Sequence, residues 1–553
     1  MSQVSFEFKI EIVQIEDEKI FLKTNYSWAV CLNADYNGKS QNYYLGKNKL
    51  NLDKLKKIFP DQAFSGEEKL VEKTNLQLRV YQQEDVKFLS QRKNIGIFNE
   101  MRTGKTPTAL TIFQCWKVPN LIIVCPGILQ AQWQEAVEKW LGLPAYIISY
   151  LSLPERKIIY QRFTQEKNWV IVVSKDIFKI DSKYFRDLRK KKKNLIFCSI
   201  VDEAHFLRNY QSQQSKSVYT LKDSEYKMAL TGTPIVNHSS DIFGILKFLQ
   251  PDVYTSYWKF AEELFLIRET TIPKNNQVFK IKRIIGFKNE KMRQKLQYLL
   301  NQISVARKQK EVLPWLPLIE QREVRLLMEK NQQLVYSRWT QKWDKNYPLE
   351  FLAKLKTLTL YPPALINEEK NKRDFLTETD RPLLKDCYGS KISYLVNFCQ
   401  ENHQNQSILI FSTRTETFLE PLNKRLQESI NFKQKKPQIG LITGKVSHQQ
   451  RIEFINDFQK REVKILLCNI QSAGVGLNLS QADIAIFADR SYSPADNEQA
   501  EARFLPTKDS ENLKTRLIID LICKGTIDEK ILNLLKRKKD ITKIITSNPE
   551  YLF

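Results

Sequence analysis

The sequence predicts an α/β protein whose parallel sheets are covered by helices on both faces. Uninterrupted apolar runs such as Leu121-Ile122-Ile123-Val124-Cys125 and Ile408-Leu409-Ile410-Phe411 alternate with helical patterns. A strand buried on both faces has no solvent side and therefore no polar alternation. A turn able to hold phosphate, Gly104-Lys105-Thr106, follows one such run, and the acids Asp202-Glu203 follow another. Ligands of parallel sheets sit at the carboxyl ends of strands, so both features point to the same edge.

At 553 residues the chain exceeds one core, and domains of roughly 100–200 residues make three or four units. Residues 1–75 alternate apolar and polar positions, as in Val4 to Ile10 and Lys19 to Lys23, with Asn33, Asn37 and Gly38 as turn residues. They read as a small β-rich N-terminal module. The first alternating α/β block spans 76–255 and the second spans 386–545, ending in a helix, with 546–553 as a tail. Between them, 256–385 is helical in pattern and reads as an insertion bridging the blocks, with Trp315, Trp339, Trp343 and Tyr361 among its aromatics.

With 87 Lys+Arg against 62 Asp+Glu, the net charge of +25 favours a polyanionic partner, because neutralised phosphates release counterions. A lysine-rich proteome is the bland alternative. The clusters Arg189 to Lys193 and Lys433 to Lys436 fall between elements and read as solvated loops. Eight scattered cysteines, several inside apolar runs, read as buried thiols of a reducing compartment, and no Cys-x-x-Cys pair suggests zinc. Glu7, Glu11 and Glu16 interrupt the first residues, unlike a signal peptide, and no apolar run approaches about 18 residues. The expectation is an intracellular, cytoplasmic chain with no membrane contact.

The turn has a definite chemistry. Backbone N–H groups and the positive end of the following helix face an anion, Lys105 adds a charge at the β/γ-phosphates, and Thr106 can hold Mg²⁺. Pro107 suits the first helical turn. The full phosphate-loop pattern is broken by Asn99, which stands in place of the first glycine. Gln82, about twenty residues upstream, carries an amide that can both donate to and accept from an adenine edge. Asp202 can hold Mg²⁺ through water while Glu203 polarises the attacking water. Thr231-Gly232-Thr233-Pro234 then supplies hydroxyls on a tight turn suited to sensing the γ-phosphate.

The order Leu78-Arg79-Val80-Tyr81-Gln82, Gly104-Lys105-Thr106, Asp202-Glu203-Ala204-His205 and Leu230-Thr231-Gly232-Thr233-Pro234 resembles the first motor lobe of superfamily two helicases, specifically the Swi/Snf-type ATPases. Asp241 to Pro251, Val305-Ala306-Arg307-Lys308 to Pro317, Gln471 to Leu479 and Ser493 to Arg503 resemble further stretches of that family. Gly525 to Lys539 resembles its C-terminal brace helix, with a capping box of Thr526 and Glu529 and an apolar stripe at Ile527, Ile531, Leu534, Leu535 and Ile541. The likeness runs from about residue 76 to 545.

It implies two RecA-like lobes, ATP and Mg²⁺ as cofactors, and DNA, double-stranded or forked, as the track. Catalysis then falls to Lys105, Asp202, Glu203 and Arg503, with Thr106 and Asp202 holding the metal. Gln82, Arg102, Thr103, Gly104, Lys105, Thr106, Gly474, Gly476 and Gln499 would line the nucleotide. Three positions depart from the family: Arg102 where glycine is usual, Ile470 where threonine is frequent, and Pro506 at the second arginine of the Arg503 motif. The chain looks like a compact bacterial, phage or plasmid form acting as a monomeric motor, with residues 1–75 or 256–385 open to protein partners. The alternative is a nucleotide-gated DNA clamp with weak or no hydrolysis.

Overall fold

Buried apolar runs become parallel strands in both halves of the chain. The computed structural model describes residues 10–546 apart from 16–18, 25–28, 30, 38–41, 47–48, 59–76, 193, 236–237, 275–276, 315–318, 342–347, 367–375, 431–438, 445, 447, 474–478 and 506–515. The chain forms two compact units that meet in sequence at Val312 and Leu313.

The first unit opens with β1 (Ile10–Ile15), β2 (Lys19–Thr24), β3 (Asp35–Asn37) and β4 (Asn42–Gly46), an antiparallel sheet in the order β1-β2-β4-β3. Asn33 takes φ 60°, as a turn residue can. The alternation read over Val4 to Ile10 lies almost wholly outside the described residues. The helix Lys49–Ile58 follows. Among the described residues this segment packs into the core of the α/β block: Ile20, Leu22, Leu32, Leu45, Leu52 and Leu55 share one buried cluster with Tyr146, Tyr160 and Trp169. Lys54, fully buried, donates to Leu32 O at 3.0 Å and pairs with Glu138, and Gln134 Nε2 reaches Cys31 O at 2.9 Å. A buried ammonium holds its charge only with such partners, so this junction is specific as well as apolar.

The strands β5 (Asn94–Ile97), β6 (Leu121–Cys125), β7 (Ala145–Ile147), β8 (Val170–Ser174), β9 (Cys198–Asp202) and β10 (Tyr226–Leu230) carry the block. Every residue of β6, β8 and β9 is buried, as continuous apolar runs require. The 256–385 stretch is helical only in part. After the helix Tyr257–Leu264 come β11 (Phe265–Lys274) and β12 (Gln277–Phe287), an antiparallel hairpin whose β-branched content outweighs the Lys and Gln count. The helix Glu290–Ile303 then leads to β13 (Ser304–Val305). Among the described residues the parallel sheet runs β13-β5-β10-β9-β6-β8-β7, so β13 covers the edge of β5.

In the second unit β14 (Ile319–Leu326) precedes the helices Lys330–Gln341, Pro348–Leu360 and Asp380–Lys385. The strands β15 (Ile408–Ser412), β16 (Ile439–Ile442), β17 (Ile465–Asn469), β18 (Ile484–Phe487) and β19 (Arg516–Cys523) follow. Their order is β14-β19-β18-β15-β17-β16, all parallel. The bridging region therefore lends an edge strand to this sheet, a second departure from an all-helical reading. The helix Ile527–Thr546 buries Ile527, Ile531 and Leu535 against Val335, Trp339 and Phe351 while Leu534 faces out. The expected capping box is replaced: Thr526 Oγ1 accepts from Asp528 N at 3.3 Å, and Glu529 turns to Arg325 at 3.5 Å. Arg189 to Lys191 likewise extend the helix Lys175–Lys191 instead of forming a loop, with Arg189 Nη2 donating to Asp223 O at 2.8 Å. No helix among the described residues is long and apolar enough to cross a membrane.

Two outcomes follow from this packing. A Cβ on Gly244, in the helix Phe243–Leu249, would lie 1.9 Å from Leu207 O, so Gly244→Ala must push that helix off the 204–208 turn. We expect a loss of about 1–3 kcal/mol, read as a lower urea midpoint. Cys115 is the exposed thiol and the other seven cysteines are buried, with burial raising Cys31 and Cys399 to about 12. Native titration with a disulfide reagent should therefore release one fast equivalent, lost in Cys115→Ser, and the other seven only on unfolding.

Candidate nucleotide site

The strands β5, β10 and β9 are neighbours, and their carboxyl ends bring together three segments far apart in sequence. From β5 the chain curls through residues 98–104 into the helix Lys105–Trp116, whose N-cap Gly104 has φ 77°. Both conformation and space demand glycine here, since a Cβ would lie 2.1 Å from Gln82 Nε2. Arg102 has φ 62°, the conformation that the family's usual glycine would supply freely. The arginine keeps the loop's path at a cost of about 1–2 kcal/mol. Lys105 Nζ folds back over the loop and donates to Asn99 O at 3.1 Å and Glu100 O at 3.2 Å. Thr103 Oγ1 donates to Glu100 O at 2.7 Å, tightening the curl, and Thr106 is half-buried at the start of the helix.

Gln82, the expected adenine selector, bonds the backbone around the loop in this structure. Its Oε1 accepts from Arg79 N at 2.8 Å, and its Nε2 donates to Thr103 O at 3.1 Å and Gly104 O at 3.4 Å. Tyr81 OH donates to the same Thr103 carbonyl at 2.8 Å. The amide sits beneath the loop and fastens it, because a buried amide satisfies its donors and acceptor with whatever backbone lies closest.

The acids fall at the end of β9. Asp202 Oδ2 accepts from Trp133 Nε1 at 2.8 Å, and Asp202 Oδ1 accepts from Glu203 N at 2.8 Å. Burial first, and then the Glu203 charge, push the Asp202 carboxyl up to about 6, while Trp133 and Lys105 act in the opposite direction. Two adjoining buried carboxylates offer oxygens of the kind a divalent cation binds. Glu203 takes φ 49°, which turns its side chain from the strand line, and its Oε2 lies 3.3 Å from His205 Nδ1. The same His205 nitrogen lies 3.3 Å from Thr231 Oγ1, which accepts from Thr233 N at 3.2 Å. A Cβ on Gly232 would be 3.4 Å from Met101 N, so this turn rests directly on the loop. The sequence alone assigns neither Trp133 nor His205 a role at the site. Trp133 lies on the helix Gln130–Leu141, and only the packing of that helix against the sheet brings it to Asp202.

In the second unit Arg503 and Gln499 are half-buried on the helix Pro494–Phe504, and Arg503 O accepts from Leu479 N at 3.1 Å. The entry to that helix is fixed by Asn497, which accepts from Ser491 N at 2.9 Å and donates to Ser491 O at 2.8 Å. Behind it Arg490 bonds Asp520 at 2.5 Å and also pairs with Glu501. Ile470 is buried in the apolar cluster below β17, which explains an aliphatic side chain where the family often has threonine. Gly474, Gly476 and Pro506 lie outside the described residues.

The model of the SNF2-related domain matches residues 81–378, more than half of the chain. The chain belongs to the SNF2-related family. The helicase conserved C-terminal domain matches residues 390–505 of this SNF2-related chain. Among its relatives is a Xenopus tropicalis SWI/SNF-related regulator of chromatin of subfamily A containing DEAD/H box 1, 24% identical over 531 residues, covering 86% of this chain and 51% of the relative. An uncharacterised ATP-dependent helicase of Mycoplasma genitalium is 24% identical over 480 residues, covering 84% of this chain and 42% of that protein. The SNF2-related chain thus spans about half the length of the curated relatives it matches. A solved SWI2/SNF2 ATPase core from Sulfolobus solfataricus, in complex with dsDNA, aligns with a TM-score of 0.35 and 21% identity over 87% of this chain and 96% of that one.

Replacing Trp133 with Phe keeps an aromatic ring but removes the donor to Asp202, and the smaller ring adds a cavity cost that does not change with pH. A hydrogen bond to a buried charge is worth about 1.5–3 kcal/mol, and we expect Trp133→Phe to lower the urea midpoint of the first unit accordingly at pH 8. Because Asp202 is held at about 6, it is charged above that pH and increasingly protonated below it. The deficit should therefore shrink when unfolding is measured at pH 5; an equal deficit at both values would separate Trp133 from the Asp202 charge.

Proposed function

We propose that this chain is an ATP-driven motor, a DNA-dependent ATPase that moves along or remodels duplex or forked DNA without reading its sequence. The observation that carries this reading is the gathering of Lys105, Asp202, Glu203 and the Thr231 turn at three adjacent strand ends of an SNF2-related chain. Lys105 would leave its two loop carbonyls for the β/γ-phosphates, held in place by the loop that Gln82 and Tyr81 fasten. Thr106 and Asp202 would hold Mg²⁺, which when bound neutralises charge on the phosphates.

Glu203 would orient and accept a proton from the attacking water. His205, touching both Glu203 and Thr231, would relate the state of that water site to the 231–234 turn. Arg503, carried on its own helix in the second unit, would supply the positive charge at the γ-phosphate.

The track is read from charge. A balance of +25 supports phosphate-backbone contacts, which position without specifying sequence. The test is ATP turnover with and without duplex DNA for the unaltered chain, Lys105→Ala and Glu203→Gln. DNA should raise turnover of the unaltered chain at least about tenfold, and both variants should fall by about two orders of magnitude or more. Nucleotide and DNA binding without DNA-stimulated turnover would replace the motor with a clamp.

A further inference from the structure

The segment that leaves the first unit is stitched to the phosphate loop. β13 runs parallel to β5, and beyond it Phe98 N donates to Val305 O at 2.8 Å and Glu100 N to Arg307 O at 2.9 Å. Glu100 returns a bond through its side chain, accepting from Gln309 N at 2.8 Å. The Arg307 guanidinium grips Asp85 Oδ1 through Nε at 3.0 Å and Nη2 at 2.8 Å, and the same Nη2 lies 3.1 Å from Glu84. Asp85 Oδ2 in turn accepts from Asn99 Nδ2 at 2.9 Å. Asp85 and Asn99 are both fully buried, so neither can exchange its partner for water without opening the fold.

Asn99 is the residue that stands in place of the usual glycine, and its own carbonyl is one of the two that hold Lys105. An unbroken chain of contacts therefore runs Arg307, Asp85, Asn99, Lys105. A few residues after Arg307 the first unit ends, at Val312.

We propose that Arg307 is a positioning residue for the nucleotide site. Through Asp85 and Asn99 it sets the curl that presents Lys105, so that displacement of the segment leading into the second unit alters nucleotide affinity. Two N–H groups of one guanidinium converge on Asp85 Oδ1 and leave Oδ2 to Asn99, so the link fixes where the carboxylate sits and which oxygen faces the loop. Asn99 can fill this role where the glycine of the general phosphate-loop pattern could not, because glycine has no side chain with which to reach Asp85. The affinity part of this inference rests on the nucleotide reading above; the loop-positioning part does not.

The experiment uses the full chain and two readouts. Amide exchange of residues 98–104, with β8 as an internal reference, is measured without nucleotide for the unaltered chain, Arg307→Gln and Arg307→Lys. Affinity for a fluorescent ATP analogue is measured alongside, including Asn99→Gly and the Asn99→Gly, Arg307→Gln double variant. We expect Arg307→Gln to speed loop exchange at least about tenfold with β8 unchanged and to weaken nucleotide binding about tenfold. Arg307→Lys, which keeps charge and loses the fork, should fall between. In the Asn99→Gly background Arg307→Gln should add less than about twofold, because the link is already cut.

Unchanged loop exchange in Arg307→Gln would overturn the proposal, as would faster exchange spread equally over β8, which marks a merely structural role. Full additivity of the two substitutions would also overturn it. If the unaltered chain binds no nucleotide, the reading of the site fails and loop exchange alone decides the positioning role.

Discussion

An ammonium group laid across two backbone carbonyls is the arrangement on which the rest of the first unit depends. Lys105 can lie over Asn99 O and Glu100 O only because the loop passes through left-handed backbone at Arg102 and Gly104. Such a path is costly for a side chain-bearing residue and persists only where neighbours over-determine it. Those neighbours are visible: Gln82 and Tyr81 from below, Asn99 anchored to Asp85 on one side, and the 231–234 turn resting against Met101 on the other. The strain at Arg102 is thus held by contacts from separate segments of the chain, which makes the loop's shape a property of the whole unit.

The same logic governs the charges that the fold takes out of water. Burial and the Glu203 charge push the Asp202 carboxyl up to about 6, and Trp133, Lys105 and Glu203 N offset part of that rise. Away from the site, the buried Arg156 grips both oxygens of Asp181 at 2.6 and 2.8 Å, and Lys391 meets Asp528 at 2.7 Å. These pairs contribute less net stability than their geometry suggests, because desolvation offsets attraction. What they fix is orientation. Arg490, set between Asp520 and Glu501, aligns the helix that carries Arg503, much as Arg307 aligns the loop in the other unit.

Much of this was legible along the chain. Unbroken apolar runs such as Leu121 to Cys125 announce strands buried on both faces, because neither face of such a strand meets water. The placing of Gly104-Lys105-Thr106 and Asp202-Glu203 immediately after such runs locates the site at strand ends. Where local pattern and tertiary demand disagree, the reading fails in specific ways. The 265–287 hairpin and β14 were hidden in a region rich in Lys and Gln, because edge and exposed strands need no continuous apolar signal. Gln82 was legible as an amide near the loop, but which groups it bonds depends on what the fold sets beside it.

By itself, then, the sequence determined the two α/β blocks, the phosphate-binding turn and the paired acids, since each rests on interactions between residues close in the chain or on burial of a single run. Only the tertiary structure decided that β5, β10 and β9 are neighbours, that Trp133 and His205 serve Asp202 and Glu203, and that Ile20, Leu32 and Leu52 of the N-terminal segment share the core of the first unit. It alone joined Arg307 to Asp85, far apart along the chain. The reason is physical: a buried polar group must be satisfied, but its partner is chosen by the packing of whole elements, and nothing in the local pattern names that partner.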